Sequence, residues 1–472
     1  MKKITSVVTT LIILFLIVSV AYNCNSGDGS QKDEMKKASQ ESAQDGAFLN
    51  HRDSVPSQQQ YSGPLFMLSH NYPTTAKPVV DPPWQKALNG KPISESNVFA
   101  YMDSLKNFVA PNVLPFFTNN KSWTAAKYGW FNEPWMGSQR EAILGTYFGN
   151  GNPANMFKTL KEDEQGYALV LYDSAAAYTV GQIWGATGQS INLANNAAQF
   201  PEGSVIVKFA FSSVNAPNWP VMAGAPTFSI YDTLATGQVA GDSGYKVRTV
   251  SFFQMDVIVK DSKTAPKTGW VYSTFVYDKD VKGSFWDQMV ALGAMWGNDP
   301  DVLSPLTPPY PKLYETIINP KAPAYSTETL GWGGRLSGPN DGAVAQQAVD
   351  ISTGKVYNNL ALSSCMSCHL PAQDTFKSFL LPGPFPKPNS PLYVFTPGSA
   401  SWNLWFRDNA GTTPFDSGQV AMDYDMVMAF KSISAYLQAQ PSAAKVKYKS
   451  LQDRLDAIST FRRHNTKSRF WH

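Results

Sequence analysis

Residues 204–212 read SVIVKFAFS, and the alternation in this stretch decides the fold class. Val205, Val207, Phe209 and Phe211 fall on one side of an extended chain at period two, as a half-buried strand requires. Comparable runs lie on either side: YALVLYD (167–173), YTVGQIWG (178–185), TFSIYD (227–232), KVRTVSFFQMDVIVKD (246–261) and GWVYSTFVYD (269–278). Six such runs between Gly- and Pro-bearing turns predict an antiparallel, sandwich-like β core over residues 166–284. The fold class expected is mainly β with α additions, the additions being helices on the C-terminal side.

Upstream, residues 64–165 are rich in Pro, Asn and Trp and predict an irregular layer with one helix, over 95–109. Downstream, 285–342 holds MWGNDP and LGWGGRLSGPND, whose glycines suit tight turns; neither stretch follows a strand and opens a helix as a phosphate-binding loop would. Met422, Met426, Phe430, Ile433 and Leu437 recur at helical spacing, and Tyr448, Leu451, Leu455, Ile458 and Phe461 make a second stripe. The region 285–472 is thus expected to end in helices. The last of them is basic, with eight Lys or Arg against two Asp over 444–472. It is read as a solvated face, with a docking patch for an acidic partner or an anionic surface as the alternative.

The 472 residues include only three cysteines, so a multi-bridge disulfide scaffold is excluded. A formal charge of +3 is too small at this length to favour nucleic-acid binding. Residues 1–24 combine Lys2 and Lys3 with an apolar run ending near Cys24, which reads as an export signal. Cys24 is the candidate for lipidation, making 25–63 a flexible polar tether and the membrane an N-terminal partner. Cleavage after Ala21 and an uncleaved anchor are the other two readings. All three place the chain outside the cytoplasm, in the periplasm or on the cell surface.

Cys365-Met366-Ser367-Cys368-His369 is the C-x-x-C-H of covalent haem attachment. Two thiols three positions apart can add to the two vinyl groups of one haem while the adjacent imidazole becomes the proximal iron ligand. A zinc site would need two more ligands, and His51, His70, His464 and His472 are isolated in sequence. The expected cofactor is one covalent haem c with its iron. Met422 is the candidate distal ligand, with Met426, Met428 and His70 behind it; an open sixth position is the remaining alternative.

Four segments carry a resemblance: FPEGSVIVKFAF (200–211), MDVIVKD (255–261), TGWVYSTF (268–275) and SCMSCHLPAQDTF (364–376). The series is similar to the β-sheet c-type cytochromes that carry a lysine cross-link to haem and oxidise hydroxylamine, and to the NO-binding cytochromes c′-beta. The longer pattern, with MWGNDP and LGWGGRLSGP, resembles a family of exported bacterial monohaem cytochrome c proteins. These likenesses imply a β-sandwich that holds the haem. No lysine is identified as the cross-linking one; Lys208 is in the strand that best matches, on the face opposite Val205, Val207, Phe209 and Phe211, and its expected setting is solvent.

Three functions follow. The leading one is an exported, lipid-anchored monohaem cytochrome c passing single electrons to a redox protein partner. The second is a haem enzyme or gas-binding protein for a small nitrogen oxide, hydroxylamine or peroxide, with Arg335, Asp299 and Glu133 as available proton-handling groups. The third is a cell-surface glycan- or protein-binding lipoprotein, in which Trp130, Trp135, Trp402 and Trp405 would stack on sugars.

Overall fold

A computed structural model describes residues 47–51, 54–134, 140–188, 191–233, 244–350, 352–375, 377–378, 380, 383 and 393–439. Residues 1–24, read above as an export signal that ends at Cys24, as well as Trp135 and the basic segment 444–472, lie outside the described residues. No helix among the described residues is long and apolar enough to cross a membrane.

The core is an eight-stranded antiparallel sheet. Its strands are β1 (Tyr147–Asn152), β2 (Glu164–Tyr172), β3 (Val205–Ser212), β4 (Thr227–Asp232), β5 (Lys246–Lys260), β6 (Trp270–Tyr277), β7 (Met289–Met295) and β8 (Thr316–Ile318). They run in the order β1-β2-β3-β5-β6-β7-β8, with β4 paired to the outer end of the long β5. A smaller sheet joins β9 (Val344–Asp350), β10 (Val356–Ala361) and β11 (Tyr393–Val394). The helices are α1 (Pro83–Ala87), α2 (Val98–Thr118), α3 (Ser174–Trp184), α4 (Phe285–Gln288), α5 (Ala324–Thr327), α6 (Cys365–His369), α7 (Ala400–Trp405) and α8 (Ser434–Ala439), the last preceded by a π-helix over Val427–Ile433.

The period-two face of β3 packs on α2. Phe116 meets Phe209 and Phe228 with ring centroids 4.9 Å apart, and Phe117 meets Phe252 at 4.7 Å. This layer is a helix where a sandwich would place a second sheet. It also explains why α2 runs on past the expected end at 109, through Pro111 and Pro115. A proline inside a helix costs about 3 kcal/mol. Beyond 109 the extension buries Val113 and Phe116, each worth roughly 1.5–3 kcal/mol, which is of the same order as the two proline costs.

Three other expectations differ from the structure. The run 178–185, read as a strand, belongs to α3, because Asp173 caps the Ala-rich stretch before it through the Ala176 amide and buries Ala177, Val180, Ile183 and Trp184 on one side. Residues 285–342 contribute β7 and β8, and the layer expected to be irregular contributes β1. The stripe from Met422 is helical only from its second member onward. Met422 itself stands in a turn, and the widened π-helical period suits the spacing of four that follows.

Candidate functional site

The opposite face of the sheet is where the chemistry gathers. Register places Val170, Lys208, Asp256 and Thr274 in one cross-strand row and Tyr172, Ile206, Ile258 and Tyr272 in the next. Most interior residues of these strands are fully enclosed, yet Val170, Ile206 and Ile258 each keep 7–8% of their surface, as does Cys365.

Helix α6 is the Cys365–His369 turn itself. Ser364 caps it in a reciprocal capping box with Ser367. Its entry is fixed from the Gly- and Trp-rich loop before β9: the Cys365 amide donates to the Leu336 carbonyl at 2.9 Å, and the Trp332 amide donates to the Ser363 carbonyl at 2.7 Å. Gly331 has to be glycine, since a Cβ there would overlap the Ser363 carbonyl. Arg335 anchors that loop, donating to the carbonyls of Asn298, Asp299, Val302 and Trp332 with its guanidinium over the Phe406 ring. With its donors spent on backbone, Arg335 is a clasp for α6 and no proton donor. Asp299 is engaged likewise, one carboxylate oxygen accepting the amides of Tyr314 and Glu315.

His369 sits edge-on to Tyr272, with ring centroids 5.0 Å apart. Its Nδ1 lies 2.8 Å from the Tyr424 carbonyl oxygen. A carbonyl only accepts, so Nδ1 carries the proton. Burial, opposed by that hydrogen bond, pushes the imidazolium down to about 4, leaving the ring neutral at ordinary pH. The Nε2 lone pair is then the one left to bind a metal.

The carbonyl is presented by an unusual turn. The Asp425 amide donates to the Met422 carbonyl at 2.8 Å, and the two central residues, Asp423 and Tyr424, have φ of 43° and 67°. This is the dihedral pattern of a type I′ turn, in which Asp is an ordinary first central residue but the second is usually Gly. A Tyr in that second place costs on the order of 1–3 kcal/mol. Asp423 is fully enclosed and accepts from Lys260 Nζ (2.6 Å), Trp270 Nε1 (2.7 Å) and the Phe200 amide (2.9 Å). The Tyr424 hydroxyl donates to the Asn409 carbonyl.

Met422 comes to the histidine's Nδ1 side. Its amide donates to the Ala372 carbonyl, three residues past His369, and its neighbour Tyr424 holds Nδ1. The Met422 main chain is thus tied beside Nδ1, and its side chain is fully buried. Met428 is buried in the π-helix, Met426 packs half-buried on the core, and His70 stacks on Phe48 at 4.4 Å.

Lys208 is not in solvent. Its ammonium pairs with Asp341 at 2.6 Å and Asp256 at 3.0 Å, with about a fifth of the side chain exposed. Burial opposes its charge, but the two carboxylates outweigh burial and hold its pKa well above the ordinary lysine value. Asp341 also lies 3.7 Å from Cys365 Sγ, so the lysine cluster abuts the first thiol. Glu133 is buried, accepting from Trp184 Nε1 and the Ser432 hydroxyl; burial first, then the Asp425 charge, push its carboxyl up to about 8. Trp130, Trp402 and Trp405 are buried in the core, which removes them as sugar-stacking platforms.

The sequence reading missed Asp423, Tyr424, Asp256 and Asp341. The run Asp423-Tyr424-Asp425 beside Met422 and the Gly-Pro-Asn-Asp turn at 338–341 were the available signals. No family model, curated protein or solved structure matches this chain.

Proposed function

We propose that this protein is an exported monohaem cytochrome c whose haem is attached at Cys365 and Cys368, with His369 Nε2 as proximal ligand. The observation that carries the reading is the pairing of two thiols on one helical turn with an adjacent neutral imidazole whose Nδ1–H is already committed. Cys365 and Cys368 are not joined in a disulfide, and the donor set fits the group. When bound, haem c supplies a one-electron couple whose potential is set by its axial ligands and burial. The chain holds the proximal imidazole in one tautomer through Tyr424 and flanks it with Tyr272. On the same face of the sheet, Val170, Ile206 and Ile258 supply buried apolar surface. Anchoring through a lipid on Cys24 and docking of a redox partner, with the basic segment 444–472 as one candidate surface, complete the reading.

Denaturing gel and mass analysis of the protein, expressed with export and haem-attachment machinery, tests this. We expect one haem per chain to survive denaturation, and none in the Cys365→Ala, Cys368→Ala double variant. A wild-type chain without covalent haem sinks the proposal.

A second reading, a haem enzyme or gas-binding protein with an open sixth position, is favoured by one observation: the Met422 main chain is tied on the Nδ1 side of His369, through the Ala372 carbonyl and the turn that carries Tyr424. Spectra of the reduced protein before and after CO separate the two. Rapid CO binding supports the open site, while a six-coordinate spectrum indifferent to CO supports the carrier.

A further inference from the structure

Resting on the haem reading above, we infer that Asp423, locked by Lys260, Trp270 and Phe200, is the positioning residue that aims the Tyr424 carbonyl at His369 and so sets how strongly that imidazole donates to the iron. The Tyr424 carbonyl reaches Nδ1 only because Asp423 and Tyr424 both hold left-handed backbone. Asp tolerates that conformation but Tyr does not prefer it, so contacts outside the turn help to impose it. Besides the Tyr424 hydroxyl on the Asn409 carbonyl, the Asp423 carboxylate is the tie that joins the turn to three separate segments. One oxygen takes Lys260 Nζ from the end of β5 and Trp270 Nε1 from the start of β6; the other takes the Phe200 amide from the loop before β3. Lys260 also lies over the Trp270 ring, 5.2 Å from its centroid. Gly411 lies against the same oxygen: a Cβ there would overlap Asp423 Oδ1 and come within 3.2 Å of Lys260 Nζ. The sheet thus grips the turn through Asp423, with the Tyr172 hydroxyl on Asp425 and the Tyr272 hydroxyl 3.5 Å from the Tyr424 carbonyl beside it, and the turn grips the histidine by one carbonyl.

A full-strength Nδ1–H···O=C bond raises the basicity of the ligating nitrogen and favours the ferric state; loosening it lowers that donation and raises the reduction potential. Outer-sphere groups of this kind typically act by tenfold or more, and tenfold in a one-electron equilibrium is about 59 mV.

Three variants of the haem-loaded protein separate positioning from simple charge. Asp423→Asn removes a negative charge, Lys260→Met removes a positive one, and Gly411→Ala displaces the carboxylate with no charge change. Positioning predicts that all three raise the potential, by about tenfold in the equilibrium, and speed solvent exchange of the His369 ring N–H in NMR spectra. Should Asp423→Asn fail to fold, Trp270→Phe, which removes the indole N–H that Asp423 accepts together with part of a buried ring, is read in its place and raises the potential in the same direction. Potentials that move in opposite directions for Asp423→Asn and Lys260→Met, with Gly411→Ala unchanged, overturn the inference while leaving haem attachment intact. Loss of covalent haem from the wild-type chain is the separate failure of the underlying reading.

Discussion

Replacing Lys208 with Met tests whether the polar row across the sheet is a working charge cluster. The substitution keeps most of the aliphatic stem but deletes the ammonium that lies 2.6 Å from Asp341 and 3.0 Å from Asp256. At an effective dielectric near 20, each contact is worth about 6 kcal/mol of Coulomb attraction, most of it spent against desolvating the ions. Breaking a buried ion pair by removing one partner costs about 3–5 kcal/mol, because the remaining charge is left uncompensated. With a fifth of the lysine exposed, we expect about 2–4 kcal/mol at pH 8. The sign of the pH dependence follows from the carboxylates. Burial works to raise both aspartates, and in the intact protein Lys208 holds Asp341 below its ordinary value while Asp256 stays raised. Without the lysine, two buried carboxylates face each other and one takes a proton as pH falls. The destabilisation should therefore shrink by half or more between pH 8 and pH 5. Urea unfolding followed by tryptophan fluorescence, on both proteins at both pH values, measures it. A loss under about 0.5 kcal/mol at both pH values would return Lys208 to an ordinary exposed strand position. An equal loss at both would make the effect one of packing and refute the charge argument.

Glu164 is fully buried, and burial, opposed by Asn152 and Ser212, pushes its carboxyl up to about 8. Between pH 4.5 and 8 the unfolded chain loses a proton that the folded one keeps, so stability falls as pH rises through that window, by up to about 4–5 kcal/mol. Glu164→Gln should flatten this slope in urea titrations and leave the variant more stable than wild type at pH 8; an unchanged slope counts against it. Ser364→Ala removes the cap of α6 and should lower stability by about 1 kcal/mol. It should also reduce the fraction of chains carrying haem after expression, and undiminished loading would show that the capping box is not needed to present the two thiols.

The two faces of β3 were not equally legible in the sequence. From alternation alone, Val205, Val207, Phe209 and Phe211 could be assigned to the core, and they are there, against Phe116 and Phe117. The face bearing Lys208 was read as solvent-facing because a lysine between apolar residues carries no mark of its partners. Those partners stand 48 and 133 residues away, at Asp256 and Asp341, and only cross-strand register and the loop before β9 bring them in. The strand expected at 178–185 failed for a local reason: β-branched and aromatic residues fit either period, and the Asp173 cap with three alanines after it tips the balance to helix.

The local sequence by itself determined the antiparallel core and the C-x-x-C-H turn, because both depend on spacings of two, three or four residues that the backbone converts directly into shared faces. Which nitrogen of His369 is left for a metal could not be read that way. It depends on a carbonyl 55 residues downstream, held in left-handed backbone by a carboxylate whose partners come from β5, β6 and the loop before β3. Tertiary structure decided the environment of the histidine, since a hydrogen bond between distant segments exists only once the sheet has fixed the distance between them.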